Sequence, residues 1–355
     1  MQLKFATLNL YQYLLPGSFW YERDSGRQNS DEKWAAKQQW LKDIVAKMDA
    51  DVIGLQEIFS VEPLVELLQE AGYPHFAAVA EPARSEEDED VFVGPVVAIA
   101  SKHPFAGEPV ALAVDASLIE ETVVEAGFTP RRDIVQAVID MPELGATTVF
   151  CCHFKSQGAF VDKDEVAALP DWRSRFKEHL RQRAIKDADQ IMRRSAEATA
   201  VYLEAMKKVD ENRQAPIVVL GDLNDEPDSP TLRMITQSEW INTIGGRRRS
   251  DLENGDKSWQ YSWQLFDAFA LAPQQTPGAR QPTHKASYFY PASTLDYVLV
   301  SNSLNALNPQ AAWAVQSVKI LADHLMEDSD SRETSDHAAV LAVIEPRSTT
   351  GDATA

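Results

Sequence analysis

Residues 217–230 read IVVLGDLNDEPDSP, and this stretch decides the fold. Four apolar residues, Ile217–Leu220, make a short buried strand that Gly-Asp stops, and Asn, Pro and Ser punctuate the turn beyond it. A carboxylate at the end of a buried strand is costly unless something pairs with it, so Asp222 is a candidate for chemistry. The same ending recurs along the chain. Asn9 follows KFATL, Glu57 follows DVIGLQ and His153 follows VFCC, while Asp296 precedes YVLVS and Asp336 with His337 precedes AAVLAVI. Each of these has an ordinary alternative: Asn9 as a turn residue, His153 as a satisfied interior histidine, Asp222 as a cap. Arising together from separated strands, they form a carboxylate, amide and imidazole set.

Working outward, Leu3–Leu10 alternates and is rich in strand formers. Val52–Gln56, Val93–Ala100, Ile134–Met141, Thr147–His153, Leu295–Ser301 and Ala338–Ile344 read as further strands. Ser30 caps a predicted helix over 31–48, with Trp34, Trp40, Ile44, Val45 and Met48 spaced along one face. Pro63–Ala71 predicts a second helix, and Glu165–Val209 a long, mostly helical stretch broken near Pro170. Helices concentrated in the first two thirds, with short strands between and after them, fit two stacked sheets covered by helices. No GxGxxG follows a strand, which argues against a doubly wound nucleotide fold. No repeat or Gly/Ser linker divides the chain, so residues 1–346 are expected to form one catalytic domain, with 347–355 a frayed tail.

The 355 residues are 44% hydrophobic and 25% charged, ample for a core and unlike a disordered or collagenous chain. No apolar run approaches the roughly 18–20 residues of a membrane-spanning helix, and the N-terminus shows no signal-peptide pattern. The two cysteines, Cys151 and Cys152, are neighbours and cannot staple distant segments, so a cytoplasmic protein is expected. No obligate protein partner is evident. With 34 basic against 54 acidic residues, net −20, the surface does not gather polyanions by long-range attraction. A phosphate substrate must then be held by local cations or metal. The acidic run Ser85–Asp90 reads as a solvated loop.

The strand-end residues suit one chemistry. Carboxylate and amide oxygens favour a hard cation, Mg²⁺ or Mn²⁺, which keeps waters and bridges to phosphate. Histidines beside carboxylates can donate to a phosphoryl oxygen or move protons. HExxH, GxSxG and GxxxxGK[ST] are all absent, against zinc peptidase, serine hydrolase and P-loop chemistry. Metal-assisted phosphoester hydrolysis fits best. On this reading the metal, His153 and His337 supply the positive charge a phosphoryl transition state needs. A carboxylate beside a histidine raises its pKa, and either group can take a proton.

The ordered segments ATLNLY, VIGLQEI, VVAIASKHPF, FCCHFKS, VVLGDLNDEPDSP, STLDYVLVS and SDHAAV, spread over residues 6–340, resemble the endonuclease/exonuclease/phosphatase superfamily. That resemblance implies an α/β fold of the DNase I-like kind: a four-layer αββα sandwich with two stacked mixed sheets flanked by helices. HFKSQG and SYFYPASTLDYVLVS are similar to the bacterial nuclease-type and uncharacterised hydrolase branches. By resemblance, Asn9, Glu57 and Asp336 lie at the divalent metal, with Glu57 its main ligand. His337 contacts the scissile phosphate with Asp296 bonded to it, and His153 is a second phosphate-contacting histidine. Asp222 orients or deprotonates the attacking water, and Asn224 fixes it. Arg132, in TPRRDIVQAVI, matches a basic residue before that strand, though Arg131 is equally placed.

Three functions compete: a metal-dependent phosphodiesterase or nuclease, a hydrolase of a small or lipid phosphoester (inositol phosphate or sphingomyelin class), and a fold that has lost its chemistry. The intact strand-end set argues against the last, and HFKSQG favours the first. A nuclease of this acidity needs a cationic rim, expected at Arg131, Arg132 and the arginines between 173 and 194. Tyr11, Tyr13, Phe19, Trp20 and Tyr21 are expected in a loop beside the cleft. Trp259, Tyr261 and Trp263 can pack or stack on bases.

Overall fold

The computed structural model describes residues 1–347 except 24–27, 123, 159–160, 239–240, 274–279, 286–290, 327–329 and the side chains of 244 and 256. All but the first residue of the expected tail lies outside the described residues.

Two six-stranded mixed sheets are stacked face to face. The first contains β1 (Leu3–Tyr13), β2 (Val52–Ile58), β3 (His75–Ala77), β4 (Val96–Ser101) and, from the far end of the chain, β11 (Trp313–Leu321) and β12 (Ala339–Pro346). Its order is β11-β12-β1-β2-β4-β3. The second holds β5 (Val110–Ala111), β6 (Val135–Met141), β7 (Gly145–His153), β8 (Ile217–Asp222), β9 (Leu265–Asp267) and β10 (Asp296–Ser301), in the order β9-β10-β8-β7-β6-β5. Phe5, Val52 and Ile99 from one sheet meet Val149, Val218, Leu220 and Val298 from the other in a dry core. The contact is closest at Gly54, where an added Cβ would sit 2.8 Å from Leu220 Cβ. Only glycine fits that crossing.

Helices cover both outer faces, giving four αββα layers. Helix α1 (Asp31–Met48) starts at Ser30, whose side chain accepts from Lys33 N, as the sequence predicts. It packs Leu41, Ile44, Val45 and Met48 on the first sheet, beside Leu64, Leu67 and Leu68 of α2 (Val61–Glu70). Across the second sheet lies the 40-residue α4 (Trp172–Glu211), preceded by α3 (Lys163–Ala167). The break between them falls at Pro170, where the sequence places it.

Each sheet contains one parallel pair joined by a helical crossover: β1 with β2 through α1, and β7 with β8 through α3 and α4. Parallel neighbours end on the same edge, so Asn9, Glu57, His153 and Asp222 arrive at one end of the sandwich. Antiparallel β10 and β12 begin at that end, with Asp296 and with Asp336 and His337. Two aromatic expectations change. β1 runs on through Tyr13, which is fully buried in the core, so the loop starts later. Trp259 and Tyr261 lie on helix α5 (Asn254–Ser262), and Trp259 stacks on Trp263 one turn away at 5.2 Å.

Candidate active site

Two strands stop in the left-handed region. Glu57 has φ 59° and Asn224 has φ 53°, both uncommon for residues with a side chain and both at the shared edge. Gly221 matters for a different reason: a Cβ there would lie 2.2 Å from the Cys152 carbonyl oxygen. Its glycine lets β7 and β8 stay paired up to His153 and Asp222.

Asp222 is the centre of the cluster. It is buried, and its Oδ1 accepts from Asn224 N at 2.9 Å. Its Oδ2 accepts from Asn9 Nδ2 at 3.1 Å and Asn224 Nδ2 at 3.3 Å, so Asn9 ties the first sheet to the second. His153 Nε2 lies 3.5 Å and His337 Nε2 3.8 Å from the same oxygen. Burial raises the Asp222 pKa, while the His337 imidazolium opposes that shift.

The two histidines differ. His337 Nδ1 pairs with Asp296 Oδ2 at 2.9 Å. Burial disfavours its charge, but Asp296 and Asp222 outweigh burial and hold its pKa well above the ordinary value. His153 is driven well below it, first by burial and then by Arg132, His337 and Lys155. The two are pushed in opposite directions: Asp296 and Asp222 favour the charged form of His337, and burial favours the neutral form of His153. His153 Nδ1 is buried without a hydrogen-bond partner.

The loop before β12 is built from its own sequence. Ser335 Oγ donates to Asn9 O at 2.7 Å and accepts from His337 N at 3.0 Å, so the serine of SDH locks His337 beside Asn9. Lys37, fully buried on the core-facing stripe of α1, donates to Tyr11 O at 2.9 Å and Thr334 O at 2.6 Å. Burial pushes its pKa down to about 7 against the pull of Asp336 and Glu57.

Glu57 and Asp336 bring to this edge carboxylates of the kind a hard divalent cation takes, while Asn9 turns its Nδ2 to Glu57 and Asp222 and its Oδ1 to Tyr11 N. Glu57 accepts from Gln12 N at 3.0 Å, and Asn9 Nδ2 lies 3.4 Å from its other oxygen. Asp336 Oδ1 is buried with no hydrogen-bond partner among the described residues and lies 3.9 Å from His337 Nε2, and its Oδ2 lies 3.8 Å from His284 Nε2. Burial raises the Asp336 pKa, but His284 and His337 outweigh it and hold the group below the usual carboxylate range. Asp222, Asp296 and Asp336 converge on the His337 ring while Glu57 lies 4.0 Å from His153, an excess of carboxylate that a cation would offset. Two sets of ligand atoms lie within 4.8 Å of one another: His284, Asp336 and His337, and Asp222, Asp296 and His337.

Sequence reasoning missed His284, whose backbone bridges to His337 and whose ring lies 4.8 Å from the His337 ring. PTHK carries no periodic signal that would have found it. Lys155, within the quoted HFKS, was left without a role. It is half-buried, and burial with Arg132 and Arg131 lowers its pKa to about 8. Buried Glu197 gathers this corner by accepting from Arg131 N at 2.8 Å and Lys155 N at 2.7 Å. Arg132 donates to Phe154 O at 3.1 Å. The expected arginine rim along α4 does not form as a unit. Arg194 is buried and bonded to Asp225, Lys155 O and Ser156 O, while Arg181 and Arg193 pair with Glu178 and Asp189.

The first sheet brings Asn9, Glu57, Asp336 and His337, and the second brings His153, Asp222 and Asp296, to the mouth of one αββα sandwich, a set of oxygens and imidazoles that suits phosphoester hydrolysis. The chain belongs to the endonuclease/exonuclease/phosphatase family, whose pattern it matches over residues 6–337. It is a hydrolase acting on phosphoester bonds, and enzymes of this family generally use divalent metals. Among solved structures, the human Nocturnin catalytic domain with bound sulfate anion is similar at 14% identity and TM-score 0.56, over 98% of this chain and 95% of that one. An endonuclease/exonuclease/phosphatase family protein from Bacteroides thetaiotaomicron matches at 15% identity and TM-score 0.54, over 97% and 95%. Humanized D. rerio TDP2 matches at 12% identity and TM-score 0.53, over 97% and 99%. At these identities the likeness is one of fold. No curated protein matches the sequence. Among the described residues, no helix is long and apolar enough to cross a membrane.

Proposed function

We propose that this chain is a divalent-metal-dependent phosphodiesterase, acting on nucleic acid, that cleaves by in-line attack of water. The observation that carries this reading is Asp222, held between the rings of His153 at 3.5 Å and His337 at 3.8 Å. Ionised Asp222 is the base for the attacking water, and Asn224 orients that water. The His337 imidazolium, charged and aimed by Asp296, donates to a non-bridging oxygen, and neutral His153 donates to another. Asn9, Glu57 and Asp336 hold Mg²⁺ or Mn²⁺, which when bound neutralises developing phosphoryl charge. Arg131, Arg132 and Lys155 form the local cationic corner that an acidic protein needs to keep a polyanion in place. Residues 1–346 act as one catalytic unit in the cytoplasm.

A lipid or small phosphoester is the second reading, favoured by the net charge of −20, which disfavours long duplexes. The test is a panel with Mg²⁺ and with Mn²⁺: plasmid, single-stranded DNA, RNA, bis-p-nitrophenyl phosphate, p-nitrophenyl phosphate, inositol phosphates and sphingomyelin. Cleavage of nucleic acid and the diester at low salt supports the proposal. Phosphate release from a monoester with no nucleic acid cleaved contradicts it.

A further inference from the structure

Helix α4 is longer than the sheet it covers. Arg194 donates to the carbonyls of Lys155 and Ser156, just past the end of β7, so this residue marks the edge on which the site opens. The 22 residues from Arg194 back to Trp172 extend about 33 Å beyond that level at 1.5 Å per residue. Asp171 caps this overhang by accepting from Arg173 N and Ser174 N.

The overhang is amphipathic in the wrong sense for a free helix. Its covered side is polar: Gln182 donates to Glu165 of α3 at 2.7 Å and accepts from Asp162 N at 2.8 Å, with Glu178 one turn away and half-buried. Its apolar side is open. Val209, Val201, Arg194 and Gln190 are buried on one stripe of α4, and the same three- and four-residue spacing continues to Leu180, Phe176 and Trp172. Those last three are 49%, 60% and 73% exposed. A soluble helix normally does the reverse, and a contiguous open apolar stripe marks a contact surface.

Charge selects the occupant. Between residues 172 and 186, Arg173, Arg175, Lys177, Arg181, Arg183 and Lys186 stand against one acid, Glu178, in a chain of net −20. Arg181 is spent on Glu178, but Arg173, Lys177 and Lys186 have no carboxylate within ion-pair distance among the described residues. Two copies of so basic a segment repel, which disfavours self-pairing. A nucleic acid satisfies the cations and not the aliphatic Leu180. Tryptophan, phenylalanine and leucine on one stripe with lysine and arginine flanking it suit the headgroup region of an anionic membrane.

We propose that the N-terminal half of α4 docks this protein on an anionic phospholipid bilayer through Trp172, Phe176, Leu180 and their flanking cations. Docking holds the edge bearing the strand-end cluster near the bilayer, and it does not depend on which phosphodiester is cleaved. The test is flotation of the full chain with phosphatidylcholine vesicles, with and without phosphatidylserine. Wild type floats only with the phosphatidylserine vesicles. The variant Trp172→Ser/Phe176→Ser/Leu180→Ser, shown folded by circular dichroism, loses roughly tenfold or more of that binding, since each side chain contributes apolar burial. Arg173→Gln/Lys177→Gln/Lys186→Gln loses it as well. No flotation by wild type, or undiminished flotation by the serine variant, overturns the proposal. So does a result in which the serine variant loses only self-association in sedimentation, or only single-stranded DNA binding.

Discussion

The two parallel crossovers share one plan and deliver different chemistry. β1-α1-β2 brings Asn9 and Glu57, which offer oxygens. β7-α3-α4-β8 brings His153, Asp222 and Asn224, beside the cationic corner of Arg131, Arg132 and Lys155. Both units end in a residue held at positive φ, Glu57 in one and Asn224 in the other. The difference teaches that the repeated edge supplies position while the residue at each strand end supplies function. On the proposed mechanism the cation belongs to the first unit and the water and phosphate to the second. Asp336 and His337, adjacent in sequence, differ in their neighbours: Asp336 lies beside His284 and His337, and His337 also faces Asp296 and Asp222.

The comparison breaks first at His337. His337→Ala removes the charged donor and should cut turnover on the order of 10²–10³-fold, with an unchanged melting curve showing that the fold survives. Because the folded pKa of His337 is raised, its charge is lost only as pH climbs past the ordinary histidine range. The wild-type rate should therefore fall on the alkaline side as His337 loses its charge, and on the acid side as Asp222, whose pKa burial pushes up to about 7, takes a proton. If the alanine variant keeps near-full rate, the charged donor is elsewhere.

Glu57→Gln tests the oxygen half. It keeps size and hydrogen bonding but removes the anion a hard cation prefers, so activity drops steeply, about tenfold or more, and partly recovers at high metal. A loss that extra metal does not touch would place Glu57 outside the metal set. Asp296→Asn comes next, with a smaller defect of the same kind as His337→Ala and an alkaline limb moved to lower pH. A defect larger than that of His337→Ala would reverse which residue supports which. The smallest effect is expected at the cationic corner. Arg131→Gln/Lys155→Gln should raise KM for polymeric DNA and flatten its salt slope by about 0.7–0.9 per lost phosphate contact, sparing bis-p-nitrophenyl phosphate. An unchanged slope would move the polymer contact elsewhere.

Much of this site was legible because buried strands punish isolated polar endings. Every strand-end residue singled out from the sequence, from Asn9 to His337, reaches the same edge. The stacked sheets followed from short apolar strands between helical stretches. Lys37, Arg194 and Glu197 were hidden differently: each is a charged residue on the buried stripe of its own helix, and a charge there is easily taken for a solvated one. Tracking helical period would have found them. His284 left no such trace, since its segment is placed by pairing with residues 336–338 across the chain. The charge state of His153 was also out of reach, because burial and three neighbouring cations decide it.

The most direct test of the account is the rate of bis-p-nitrophenyl phosphate hydrolysis by wild type with Mg²⁺ or Mn²⁺, in excess EDTA, and after the metal is restored. The account predicts turnover with metal, none in EDTA, and recovery on restoration. Full activity in excess EDTA would contradict it.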